Sequence, residues 1–154
     1  MPKRIDINAI SPITGSRYPA PFDEPCSARV RYRLGDAANL TDFGVNLMRL
    51  RPGAWSSQRH WHTAEDEFVY VVEGEVVLVT DSGEEVLAAG DAAGFKAGVR
   101  DGHHLQNRST RDAVVLEIGS RKPLEDEGEY PDIDMRFLKD DSYAHKDGTP
   151  YPAR

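Results

Sequence analysis

Short apolar runs that alternate with polar residues recur along the chain, and this two-residue period marks β-strands. Over residues 29–34 the alternation is strict, with Val30, Tyr32 and Leu34 on one face and Arg29, Arg31 and Arg33 on the other. The pattern predicts a half-buried strand. Its arginine row is expected to face solvent, or else to dock an acidic segment, for which 125–134 (EDEGEYPDID) is the candidate. Residues 43–51 read as a second strand, halted by the turn signal Pro52-Gly53. A strand carrying His60 and His62 follows, then Glu67–Glu73 and Glu75–Thr80, broken at Gly74. Segments 84–88, 93–96, 103–107 and 113–119 bring the total to about nine or ten short strands, with turn residues every 8–12 positions. No window carries a helical period. An all-β sandwich or barrel is the fold class that results.

The flanks differ from this regular middle. Residues 1–26 are rich in Pro, Ser and Asp without a sustained period, which predicts an extended N-terminal arm with a short edge strand. Residues 122–154 hold four prolines, many charges and the aromatics Tyr130, Phe137, Tyr143 and Tyr151. That mixture predicts an extended C-terminal clasp over the barrel (27–121) or over a partner subunit. The 154 residues suit one domain.

Composition narrows the class further. With 39% hydrophobic and 29% charged residues the chain reads as a soluble globular domain, and no run approaches the ~18 apolar residues of a membrane span. The first ten residues, MPKRIDINAI, lack the apolar stretch of a secretory signal. Cys26 is the single cysteine, so no internal disulfide can form. Together these lead to the expectation of a reducing, cytoplasmic setting. A net charge of −7 argues against nucleic acid as a partner. The charge is uneven, with nine Lys/Arg against five Asp/Glu in residues 1–60 and ten against twenty-one in the rest.

The candidate chemistry sits in QRHWHTAEDEFVYVVEGEV. His60 and His62 are two apart on a strand and share a face. Glu67 is in phase with Val69 and Val71 and so points inward, and His103 opens a later strand. Imidazoles with a carboxylate suit a divalent transition metal. Taken singly, each residue reads as surface decoration or as a loop residue. Their joint placement is what points to a metal. Lys96, near the barrel mouth, is a candidate contact for an anionic substrate group. Tyr70 has outward phase, His145 stands isolated, and no general base can be named.

The joint placement resembles the cupin superfamily. Gly53 precedes His60-x-His62; four residues lead to Glu67 and six more to Gly74, which is similar to the first cupin motif. Gly90, five residues, Lys96-x-Gly98, a spacer, His103, three residues and Asn107 resemble the second. The departures are one extra residue between Gly53 and His60, Lys96 where proline is usual, and a spacer of four before His103. Counting back from Asn107, and the strand phase, favour His103 over His104. The resemblance implies a jelly-roll barrel, or double-stranded β-helix, with one divalent metal (Fe, Mn, Ni, Zn or Cu) on the residues matching His60, His62, Glu67 and His103. It further implies a small-molecule substrate and a homodimer. Three functions follow as expectations: a sugar-phosphate-isomerase-type reaction on a small oxygenated metabolite, a non-haem iron dioxygenase, or a non-catalytic metabolite-binding or sensor protein.

Overall fold

The alternating runs pair into antiparallel sheets whose inward faces carry the apolar positions. The computed structural model describes residues 4–153. The first three positions of the arm expected over 1–26, and the last position of the clasp expected over 122–154, lie outside the described residues. The largest sheet has six strands in the order β1 (Ile13–Thr14), β2 (Arg29–Arg33), β3 (Phe43–Leu50), β10 (Ala113–Ser120), β5 (Glu67–Glu73) and β8 (Ala92–Phe95). A three-stranded sheet is ordered β7 (Gly83–Ala88), β6 (Glu75–Thr80) and β9 (His104–Gln106).

These two sheets face each other. Met48, Leu50, Val69, Val71, Ala113 and Val115 of the larger sheet form one buried cluster with Val76, Leu78, Leu87 and Leu105 of the smaller. This is the layered packing that buries one face of each sheet. Gly74 makes the corner where the chain leaves the larger sheet for the smaller. Its φ of +76° and the approach of the Asp112 carbonyl, 2.7 Å from where a Cβ would stand, explain a glycine here.

The clasp is built in cis. β11 (Gly128–Tyr130), β12 (Met135–Phe137) and β13 (Tyr143–Ala144) form a sheet with β4 (Trp61–His62), the strand that carries His62 and directly follows His60. Gly128 pairs with His62 and Glu129 with Trp61. A second core of Tyr18, Cys26, Tyr130, Met135 and Phe137 ties the N-terminal arm to the clasp. The Tyr18 and Tyr130 rings meet edge-on at 5.5 Å.

Three expectations change. First, β2 is phased opposite to the reading from alternation: Arg29 is buried, at 7% exposure, and Arg31 is half-buried, so these two arginines face inward while Arg33 at the strand end stays exposed. Alternation defines two faces without saying which is the inner one. The interior accepts these guanidiniums because each has partners there. Second, the acidic segment does not dock on them. Arg31 pairs with Glu117, the one charged residue in the apolar run of β10, at 2.8 and 3.0 Å, and Asp126 of the segment goes instead to His62. Third, Leu34 leaves the strand and opens a single helical turn, α1 (Leu34–Ala37), where only a loop is legible.

Candidate metal centre

Different elements bring the candidate ligands to one point. His60 and His103 exchange backbone hydrogen bonds, His60 N to His103 O at 3.2 Å and His103 N to His60 O at 2.9 Å. That bridge sets their side chains next to each other. His62 lies in β4, and Glu67 opens β5 between Phe95 and Gly119. His103 stacks flat on Phe95 with ring centroids 3.6 Å apart.

All three imidazoles aim Nε2 at the Glu67 carboxylate. The distances are 2.5 Å from His103, 3.3 Å from His62 and 3.5 Å from His60. His60, His62 and Glu67 each place one ligand atom within 4.8 Å of the others. Meanwhile each Nδ1 meets an acceptor: Gln58 O at 2.8 Å for His60, Asp126 Oδ2 at 2.6 Å for His62 and Asp101 O at 3.3 Å for His103. An Nδ1–H donating outward leaves the Nε2 lone pair pointing inward, the arrangement typical of metal-ligating histidines. Three lone pairs and a carboxylate therefore converge on one place. Such a set of acceptors fits a cation.

The electrostatics agree. Burial would raise the Glu67 carboxyl, but the imidazoles, His60 foremost, hold it well below its usual value. Burial lowers His60. It would lower His62 too, but hydrogen bonds to Asp126 and Glu67 outweigh it and push that imidazole up to about 10. Proton and divalent cation compete for the same site, so metal entry here expels the proton.

His104 is a different kind of residue. It sits on the opposite face of β9, where Nδ1 meets Ser57 O at 2.8 Å and Nε2 contacts Gln106 at 2.9 Å. His103 alone of the adjacent pair reaches Glu67. Asn107 is structural: its amide donates to Leu50 O and Arg111 O, both at 2.8 Å, and closes the loop before β10.

Lys96 is drawn aside. Its ammonium pairs with Asp66 at 3.0 Å with 74% of the side chain exposed, and it borders only a smaller pocket of about 240 Å³. The main cavity, about 400 Å³, is lined by His60, His62, Glu67 and His103 together with Arg29, Arg31, Asn46 and Glu117. Its size is that of a small-molecule site.

Sequence reasoning missed Asp126. It lies 64 positions from His62, in the clasp, and accepts from His62 Nδ1 at 2.6 Å and from the backbone N–H groups of Ala64 and Glu65 at 2.9 and 3.2 Å. Nothing in its local context separates it from its acidic neighbours. His62, Glu65 and Asp126 also offer ligand atoms within 4.8 Å of one another. But both Asp126 oxygens already accept N–H groups, so its place is to orient His62.

The Cupin domain family matches residues 46–119, which span both motifs. A sugar phosphate isomerase of the cupin superfamily from Silicibacter pomeroyi superposes with a TM-score of 0.91 at 42% identity, covering 98% of each chain. The chain belongs to the cupin superfamily. A second cupin-like structure, a putative sugar phosphate isomerase from Acidithiobacillus ferrooxidans, matches at 29% identity with a TM-score of 0.72, over 82% of this chain and 81% of that one. The polyketide cyclase RemF from Streptomyces resistomycificus shares the cupin fold at 19% identity and a TM-score of 0.63, over 79% of this chain and 81% of that one. No curated protein matches the chain.

Among the described residues no helix is long and apolar enough to cross a membrane.

Proposed function

We propose that this cupin is a metal-dependent enzyme acting on a small oxygenated metabolite, in a reaction of the sugar-phosphate-isomerase type. The observation that carries the reading is the convergence of three Nε2 atoms on Glu67 at the wall of a cavity of about 400 Å³. The 42% identical cupin named a sugar phosphate isomerase, alike over 98% of both chains, supports the same class. His60, His62, Glu67 and His103 would hold one divalent transition metal, Fe, Mn, Ni, Zn or Cu. Bound there, the ion supplies Lewis-acid polarisation of a substrate oxygen.

The chain's own groups do the rest. Glu67 contributes the negative charge that favours a divalent ion over a proton. Asp126 fixes the ring and tautomer of His62. Phe95 holds the plane of His103 and covers its apolar side. The cavity admits a metabolite beside these groups.

Elemental analysis of untagged protein tests the centre. The expected result is about one transition metal per chain, lost in His62→Ala. Absence of metal from wild type after reconstitution, with the fold intact, would leave a metabolite-binding protein as the better description. Interconversion of aldose and ketose phosphates by the loaded protein would establish the isomerase class. Oxygen uptake by the iron form with diols or catechols would transfer the protein to the dioxygenases.

We also propose that the protein is a homodimer, joined through the outer face of the six-stranded sheet. That face presents Tyr32, Leu47, Leu116 and Tyr70 in one register row, with Val45, Ile118 and Phe68 in the next.

A further inference from the structure

The cavity that reaches Glu67 has a second polar end, formed by β2, β3 and β10. Arg29, 7% exposed, donates from Nη1 to Ser56 O at 2.5 Å and from Nη2 to Gly15 O at 2.6 Å. Both partners are neutral carbonyls, so they solvate the guanidinium without cancelling its charge. Its Nε is buried with no hydrogen-bond partner. Two residues along the same inward face, Arg31 is clamped through Nε and Nη2 by the two oxygens of Glu117. Two guanidiniums share one carboxylate, which leaves this end of the cavity with an excess of positive charge.

Asn46 stands beside Glu117 in register, and its Oδ1 is likewise buried without a partner. A buried donor and a buried acceptor left open cost free energy unless something fills them. The side chains that carry them, Arg29 and Asn46, are among those that line the same cavity as the histidines and Glu67.

We infer that this end of the cavity is the anion- and hydroxyl-reading half of the substrate site. With each side chain turned toward the bound substrate, Arg29 Nε donates to an oxygen of a phosphate or carboxylate, and the Asn46 amide oxygen accepts from a substrate hydroxyl. The substrate is then a polyhydroxylated anion, with its reacting oxygens at Glu67 and its charged group toward Arg29. The inference rests on the proposed metal-dependent reading for the orientation of the substrate. The anion contact itself needs no metal. Lys96, held by Asp66 outside the main cavity, has no part in it.

The test is calorimetric titration of metal-loaded and metal-stripped protein with D-ribose 5-phosphate, D-gluconate and D-ribose. The expected result is that at least one of the two anionic sugars binds tenfold or more tightly than ribose, in both forms of the protein. Preference between phosphate and gluconate identifies the anionic group. Arg29→Lys keeps a charge but loses the Nε donor, and should reduce the anionic preference at least tenfold. Because Arg29 also anchors Gly15 and Ser56, Asn46→Leu provides a second variant of similar volume, expected to weaken both anionic and neutral sugars about tenfold. Lys96→Ala should leave all three affinities unchanged. Equal binding of anionic and neutral sugars, no binding of any, or loss of preference in Lys96→Ala but not in Arg29→Lys would overturn the inference. Anionic preference in a protein that takes up no metal on reconstitution would uphold the subsite and sink the metal-dependent reading instead.

Discussion

At the scale of single residues, the proposed metal centre depends on a carboxylate that is not a ligand. Asp126 holds His62 through Nδ1 at 2.6 Å while Nε2 faces Glu67. Substitutions at such an orienting partner commonly cost about 10–100-fold in metal affinity. Asp126→Asn keeps an acceptor for the Ala64 and Glu65 N–H groups but removes the charge. It should lower metal affinity by that factor in a chelator competition, and it should also lower the metal-free melting temperature, because the buried His62 imidazolium loses its charged partner. Affinity equal to wild type would show that the contact is incidental. Asp126 was illegible in the sequence because its role comes from a strand pairing, Gly128 with His62, that joins distant segments. The clustering of His60, His62, Glu67 and His103 was legible because their spacing, which resembles the cupin motifs, and their strand phase single them out together.

The neighbour that sequence nearly confuses with a ligand makes its own prediction. Burial, ahead of its other surroundings, lowers the His104 imidazole from 6.5 to about 4. The folded state therefore keeps it neutral in a range where the unfolded chain takes up a proton. Its contribution to stability is complete above pH 6.5 and is lost as the pH falls toward 4. For a buried group this amounts to on the order of 3 kcal/mol. Urea unfolding at pH 7 and pH 4.5 should show that loss, and His104→Asn, whose side-chain amide takes the place of Nδ1 as donor to Ser57 O, should reduce it. His60, also lowered by burial, leaves a residual slope in the variant. An identical slope in both proteins would refute the assignment.

At the scale of elements, the clasp and the histidine strand form one unit. Gly128 is buried where β11 meets β4 and β12, and a Cβ there would run into the Phe137 ring and the Trp61 carbonyl. Gly128→Ala should push β11 outward and carry Asp126, two residues away, off His62. Overpacking of this kind typically costs about 1–3 kcal/mol. The expected outcome is a lower urea midpoint together with weaker metal retention. A lower midpoint with unchanged metal affinity would mean that Asp126 is held independently of the sheet. The strand pattern foretold an extended segment here, yet its partner lay beyond reach, since short polar strands carry no marker of what they pair with. The opposite failure occurred in β2. Its alternation was plain, but its inner face is the charged one, because Glu117 of β10 and two backbone carbonyls receive the arginines. The lone glutamate in AVVLEIG was the available clue: a charge amid inward apolar positions calls for a partner of opposite sign.

At the scale of the whole molecule, that inversion leaves apolar residues outside. Val30 and Tyr32 turn away from the cavity, and the register continues their face through Leu47, Leu116 and Tyr70 and through Val45, Ile118 and Phe68. Phe68 and Tyr70 are 41% and 40% exposed, and Val72 is 50% exposed. Four strands ~4.8 Å apart, each with two or three outward apolar positions, make an apolar patch on the order of 300 Å². That is as large as monomers commonly tolerate. A second copy of the same sheet is the occupant its chemistry suits, because two such faces related by a two-fold axis cover each other without leaving a charge unpaired in the centre. Arg49 lies at the margin and pairs with Asp112 of its own chain. Light scattering should accordingly give twice the 17.1 kDa chain mass for the wild type. Leu116→Asp, central in the patch and pointing away from the cavity, should give the single-chain mass with the metal still bound. A wild-type protein that is monomeric at micromolar concentration, or a Leu116→Asp variant that stays dimeric, would place the contact elsewhere or nowhere. Loss of metal along with dimerisation would instead tie the centre to the assembly, since Leu116 lies between the strands that carry Glu67 and Asn46.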